Sequence, residues 1–310
     1  LIQAVGANGA LIGRFTTNPG LVWAEYVADY YGTNATSDNQ GGSNYAVGGA
    51  RTGVNTAGAL GPIPSLTTQT SNYLAANGGR ADPNALYTVW GGANDLFAVA
   101  AGAPAQATIT NAVTAQIGAI GALRNAGAEY ILVPTIPDLG VTPQFRAGGA
   151  AQQAAGTQLA TTYNTALYGG LAATGLRVIP LDTFNLLREI TANPAPYGIT
   201  NVTGTACNPQ ITASSVTCSP TNTIPGAAES YAFADGVHPS SKAHKILGDY
   251  ALSVLEAPRF IAVLPNSAAT TGRARADQVT NHVAGVGGAA CAATSSATVT
   301  ATCTTAPARR

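Results

Sequence analysis

The sequence predicts an α/β fold, a parallel, doubly wound sheet covered by helices. Three observations carry that prediction. Short continuous apolar runs recur along the chain, as suits strands buried on both faces of a parallel sheet. Helix-period patterns separate them. The runs end on double glycines or on an aspartate, and in such sheets ligands bind beyond the carboxyl ends of the strands.

Residues 1–19 are rich in Gly and Asn without periodicity and read as loop. After Pro19-Gly20, the spacing of Trp23, Tyr26, Val27 and Tyr30 predicts a helix that Gly32 stops. A polar loop follows from Thr33 to Ser43. Asn44-Tyr45-Ala46-Val47 then predicts a strand entering Gly48-Gly49. The next strand is Ala85 to Trp90, ending on Gly91-Gly92. A third is Tyr130 to Val133, running into Pro134 to Asp138, and a fourth is Leu176 to Leu181, ending at Asp182. Between them, Ile109, Val113, Ile117, Ile120 and Leu123 mark one helix, and Leu159, Tyr163, Leu167 and Leu171 a second. Leu247, Tyr250, Val254 and Leu255 mark the last. Residues 194–234 read as an irregular stretch that a Cys207–Cys218 bridge would pin. The composition shifts at Pro258. The expected organisation is therefore one domain over residues 1–257 and a low-complexity linker over 258–310, with a short helical stretch near Ala276 to Val283.

Composition narrows the function. Acidic and basic residues balance at 14 each, which leaves no electrostatic footprint for nucleic acid. No apolar run approaches the roughly 18 residues of a membrane span. The four cysteines form two close pairs, Cys207/Cys218 and Cys291/Cys303, without zinc-like spacing. Two local disulfides, and hence an oxidising compartment, are the expectation. The glycine-rich turns match neither dinucleotide nor P-loop patterns, and no cofactor or metal is expected. The chain begins at Leu1 and contains no Met, so a processed or truncated start is expected.

The strongest chemical signal is Asp235-Gly236-Val237-His238-Pro239-Ser240, ahead of the last helix. Positions i and i+3 of a turn can meet. A carboxylate there can fix the tautomer of the imidazole and leave its other nitrogen as a general base. Equally, Asp235 could cap the helix and leave His238 solvated. In Gly91-Gly92-Ala93-Asn94-Asp95, the Asn94 amide could donate to a developing oxyanion. The turn could also simply carry Asn94 or Asp95 as a helix cap, and Asp95 reads as capping or orienting it. Gly48-Gly49-Ala50-Arg51 offers backbone N–H groups with no side chain in the way. Asp138 and Asp182 are the carboxylates that could be paired for glycoside hydrolysis.

Taken in order, Asn44-Tyr45-Ala46-Val47-Gly48-Gly49-Ala50, Gly91-Gly92-Ala93-Asn94-Asp95 and Asp235-Gly236-Val237-His238-Pro239 resemble the GDSL (SGNH) esterase/lipase family. The likeness is greatest to the passenger domains of bacterial autotransporter esterases. Gly13-Arg14-Phe15-Thr16, Ala81 to Tyr87 and Pro137 to Pro143 support it, over residues 11–257. The resemblance implies a three-layer α/β/α sandwich with a roughly five-stranded parallel sheet, flavodoxin-like in form. It implies hydrolysis of small-molecule or lipid acyl esters by a Ser nucleophile. His238 matches the base and Asp235 its orienting carboxylate. Gly48, or Gly49 one position on, matches the backbone oxyanion donor, and Asn94 the side-chain donor. It also implies a secreted or surface-displayed protein on the passenger side of a bacterial outer membrane, meeting the membrane only through a C-terminal barrel that this chain does not contain.

One departure is large. The family's Gly-Asp-Ser-Leu block is absent, and Gly248-Asp249 runs into Tyr250. Ser37 and Ser43 lie in a polar loop without the strand-to-turn setting of a nucleophile. The expectation is a chain that starts just downstream of that block and lacks the first strand and its Ser. Two rival functions follow: a catalytically inactive surface module that binds or presents, and a carbohydrate deacetylase that uses the same residues.

Overall fold

A computed structural model describes residues 13–58 and 61–257. The expected linker over 258–310, with its helical stretch, and the Cys291/Cys303 pair lie outside the described residues. The first helix, α1 (Trp23–Tyr30), forms where its period places it and buries Trp23 and Val27. Gly32, with φ +70, follows it. Ahead of it, the Arg14 guanidinium grips Glu25 through Nε (2.8 Å) and Nη2 (2.7 Å), and Glu25 also accepts the Val22 N–H at 2.8 Å. The irregular segment from Gly13 to Gly20 is thereby tied to the start of α1.

A small antiparallel hairpin, β1 (Thr56–Gly58) and β2 (Gly61–Ile63), leads to α2 (Leu66–Ala76). The central sheet is parallel, in the order β3 (Leu86–Thr88), β4 (Tyr130–Pro134), β5 (Ile179–Leu181). Leu86 stands opposite Tyr130, and Leu132 opposite Ile179. The crossover from β3 to β4 is α3 (Ala93–Ala100) and α4 (Ala105–Asn125). The crossover from β4 to β5 is α5 (Pro143–Ala147) and α6 (Gly149–Ala173). Parallel neighbours need such helical crossovers, because a tight turn can only reverse the chain. After β5 come α7 (Thr183–Ala192), β6 (Asn201–Thr205), β7 (Tyr231–Phe233) and α8 (Ser241–Leu255).

Side chains alternate across a strand. Ile131 and Val133 therefore share one face of β4, where they join Ile120 and Leu123 of α4 and Tyr163, Leu167 and Leu171 of α6 in a single buried cluster. Leu132 points the other way and is equally buried. On that other side, α8 packs against α1 and also reaches β5 and β7. Helices on both faces of a parallel sheet make the α/β sandwich expected from the sequence. No helix among the described residues is long and apolar enough to cross a membrane.

Three local expectations are corrected. Asn44 to Val47 is not a strand: the Asn44 side chain takes the Ala46 N–H (3.0 Å), and an Asx turn of this kind removes the donor a ladder would need. What remains is a single bridge from Asn44 to Ser37. The strand drawn from Leu176 starts at Ile179, because the Arg177 carbonyl is claimed by Arg124 Nη2 at 2.8 Å. The stretch 194–234 is less irregular than its composition suggests. It contains β6 and β7, paired in parallel with a register shift between Asn201 and Thr205. Among the described residues, the parallel strands are thus shared between two sheets rather than joined in one sheet of about five. The Cys207–Cys218 disulfide does form within this stretch.

Candidate active site

The turn between β7 and α8 is built around the Asp235 carboxylate. Oδ1 accepts the N–H groups of Val237 (3.0 Å) and His238 (2.8 Å), which folds the turn back on itself. The Ala234 N–H then donates to the His238 carbonyl at 2.8 Å and closes it. In this geometry His238 Nδ1 lies 2.9 Å from both carboxylate oxygens. A carboxylate can only accept, so Nδ1 carries the proton and Nε2 presents its lone pair. Asp235 does not cap α8. That role falls to Ser240, whose Oγ accepts the Ala243 N–H at 3.1 Å.

Asp235 is only 6% exposed. Burial pushes its carboxyl upward. The hydrogen bonds and charge of His238, with the Ser215 N–H, outweigh that and hold it well below the ordinary carboxylate range. It therefore stays ionised beside the imidazole. The His238 side chain keeps 35% of its surface exposed, and Nε2 makes none of the hydrogen bonds described for the ring, both of which go through Nδ1.

Two further elements are linked to this turn, directly or through one another. The Phe15 ring stacks on the imidazole, with centroids 4.6 Å apart and planes 19° from parallel. The same ring lies against Gly48, where an added Cβ would come within 2.0 Å of two ring atoms. Gly48 is exposed, and its N–H makes no hydrogen bond among those described. Phe15 thus joins the predicted glycine to the predicted imidazole. Asn94, at the start of α3, donates from Nδ2 to the Ala50 carbonyl at 3.0 Å, which ties it to the Gly48 loop. An amide NH2 has two protons, so one stays available. Gly92, at φ +104, is the cap residue of α3 rather than Asn94 or Asp95. Asp95 instead orients the loop, accepting from Arg51 Nε (2.9 Å), Thr52 N (2.9 Å) and Thr52 Oγ1 (3.1 Å).

The carboxylates considered for glycoside hydrolysis are occupied with structure. Asp182 caps α7 through the Asn185 N–H at 3.0 Å. Asp138 accepts the Gly140 N–H (2.9 Å) and the Thr157 hydroxyl (2.6 Å). Ser37 takes part in the Asn44 bridge, and Ser43 is exposed in the same loop.

Sequence reasoning missed three participants. Phe15 lay inside a motif that carried the family resemblance but had no role attached. Ser215 sits under the disulfide and donates its N–H to Asp235 Oδ2 at 2.8 Å. His244, on α8, accepts the Trp23 N–H at Nδ1 (3.2 Å) and donates from Nε2 to the Phe15 carbonyl (3.1 Å). Burial pushes its pKa down to about 4, so it is neutral and serves as a clamp on the Phe15 segment.

The chain is similar to several known proteins. The chain is 36% identical over 220 residues to an uncharacterized protein in the trpE-trpG intergenic region of Pseudomonas putida, covering 68% of this chain and 35% of that protein. It is 28% identical over 330 residues to Lipase 1 of Photorhabdus luminescens, covering 84% and 50%. It is 35% identical over 282 residues to Esterase EstA of Pseudomonas aeruginosa, covering 84% and 42%. The chain therefore spans half or less of the length of these relatives. The sequence model of the GDSL-like lipase/acylhydrolases matches residues 3–251, and the chain belongs to that family.

Proposed function

We propose that the protein containing this chain is a carboxylic ester hydrolase acting on small-molecule or lipid acyl esters. The observation that carries this reading is the Asp235–His238 pair, with Nδ1 held at 2.9 Å and Nε2 outside those hydrogen bonds. In this reading Nε2 takes the proton of a Ser hydroxyl as it attacks the ester carbonyl, then gives it to the departing alcohol. Asp235 stays ionised and stabilises the imidazolium. The Gly48 N–H, or that of Gly49, and the second Asn94 amide proton donate to the carbonyl oxygen as its charge grows. Water repeats the sequence and releases the acid. The names of the Photorhabdus lipase and the Pseudomonas esterase support the reaction class. The Cys207–Cys218 bridge supports a place outside the reducing cytosol, and a secreted or surface-displayed passenger is the form we favour.

A second reading, a surface module that binds acyl esters without cleaving them, is favoured by one observation. Among the described residues both hydrogen bonds of the His238 ring go to Asp235, and none goes to a Ser. Turnover of a short-chain chromogenic ester by the protein that contains this chain separates the two. The hydrolase reading expects turnover that falls about 10³-fold in His238→Ala. Saturable ester binding with no turnover, unchanged by His238→Ala, would establish the module instead.

A further inference from the structure

The second oxygen of Asp235 leads out of its own turn. Oδ2 accepts the backbone N–H of Ser215, 20 positions upstream, at 2.8 Å, and the residue is fully buried. Ser215 opens the 3-10 turn Ser215–Thr217, and the first N–H of a helical turn has no partner inside the turn. That orphan donor is the one aimed at the carboxylate. The turn ends at Cys218, whose bridge to Cys207 closes a separation of 11 residues. At the other end of the bridge, the Cys207 N–H donates to the carbonyl of Ala234, the residue next to Asp235, at 2.9 Å. Cys207, Cys218 and Ala234 form one buried cluster. From the far side, Asn18 Nδ2 reaches the Ser215 carbonyl at 3.3 Å.

We propose that Ser215 is a positioning residue for His238: its backbone N–H, held in place by the Cys207–Cys218 bridge, fixes the Asp235 carboxylate and through it the tautomer and tilt of the imidazole. Reduction of the bridge then relieves the carboxylate of that donor without touching either member of the pair. The groups that face His238 are Asp235 from its own turn, the buried neutral His244 from α8 and the uncharged Phe15 ring. None of these supplies a substitute donor to Oδ2. The description of His238 as a base rests on the hydrolase reading; the positioning does not.

The test follows the His238 ring resonances by NMR as pH is varied, with circular dichroism reporting the fold. Ser215→Pro deletes the donor at a position whose backbone accepts proline, since it opens a helical turn and follows an extended Ser214 (φ −123, ψ 130). Its ring Cδ then stands where the N–H met Asp235 Oδ2 at 2.8 Å, so the oxidised and reduced parent are compared alongside it. Ser215→Ala keeps the N–H. A carboxylate relieved of one donor concentrates its charge on the imidazolium. In Ser215→Pro the titration midpoint of His238 is therefore expected to move to higher pH, by about threefold to tenfold in proton affinity. Ser215→Ala should titrate like the parent. Dithiothreitol should move the parent the same way as Ser215→Pro, and leave Cys207→Ser/Cys218→Ser, already shifted, where it is. A folded Ser215→Pro protein with the parent midpoint overturns the proposal. If that variant does not fold, the oxidised and reduced parent decide, and equal midpoints overturn it. Ester turnover is read separately, on the protein that contains this chain: a shifted midpoint there without turnover removes the hydrolase reading and leaves the positioning intact.

Discussion

The Asp95 carboxylate holds Thr52 twice, through its backbone N–H at 2.9 Å and its hydroxyl at 3.1 Å, while Arg51 Nε closes on the other oxygen at 2.9 Å. This contact links the turn that carries Asn94 to the loop that carries Gly48, across 43 positions of sequence. Asp95 is 1% exposed. Asp95→Ala would leave a buried N–H and a guanidinium without their acceptor, at a cost of about 3 kcal/mol. Urea denaturation should show that loss. Asp95→Asn, which keeps an acceptor for Thr52, should lose about half as much. Both should lower turnover more than they raise KM, because they move the proposed oxyanion donors, Gly48 and Asn94, rather than the substrate-binding surface.

Gly48 and Phe15 make a second coupled pair. A Cβ on residue 48 would lie 2.0 Å from the Phe15 ring, so Gly48→Ala must displace the ring from the imidazole. Turnover should fall at least about tenfold, since small misplacements near reacting groups are costly. In the double variant Gly48→Ala/Phe15→Ala the clash is gone. Its loss should be smaller than the sum of the single losses, with a coupling of about 1 kcal/mol in the double-mutant cycle. Additive losses would mean that Phe15 and Gly48 act independently.

Gly92 is required for two reasons at once. Its φ of +104 lies where side chains are strained, and a Cβ would fall 2.4 Å from the Tyr163 ring and 2.8 Å from Ile136. The Tyr163 ring cannot easily yield, because its hydroxyl donates to the buried Gln116 Oε1 at 2.7 Å. Gly92→Ala should therefore destabilise the fold by about 3 kcal/mol in thermal or chemical unfolding.

What the sequence revealed of this architecture depended on how local each signal was. The helices α1, α4, α6 and α8 were legible because a 3.6-residue period accumulates over many positions, as in Ile109 to Leu123 within Ala105–Asn125, whereas α2, α3, α5 and α7 were not placed. The strands β3 to β5 were legible but their ends were not, and the strand expected at Asn44 to Val47 does not form. Asn44 and Arg177 are decided by side-chain hydrogen bonds that compete with the ladder, and hydropathy does not register these. β6 escaped because Asn201-Val202-Thr203-Gly204-Thr205 is half-buried rather than apolar, and β7 because Tyr231-Ala232-Phe233 is only three residues long. In the site, Asp235 and His238 were legible because they are three positions apart. Ser215 and His244 act across 20 and 229 positions, and no local pattern announces such contacts.

The acid response of the fold divides between two groups. His244 is buried and neutral, its pKa lowered to about 4 chiefly by desolvation, against an unfolded value near 6.5. Between those values the unfolded chain binds a proton that the folded chain refuses, so stability rises with pH across the window and is lost as pH falls through it. The full loss is about 3 kcal/mol. Asp235 acts lower. Its carboxyl is depressed in the folded state, so its contribution is complete above the unfolded value near 3.8 and is lost as pH falls below it. Denaturation midpoints measured from pH 7 to pH 4 should therefore decline through His244 alone of these two. His244→Gln, which can retain one of the two hydrogen bonds to Trp23 and Phe15, should start less stable at pH 7 and lose most of the slope between pH 6.5 and pH 4. A slope in that window undiminished by the substitution would place the sensitive group elsewhere. The slope below pH 4 should survive His244→Gln, because Asp235 keeps His238 and Ser215 as its partners there.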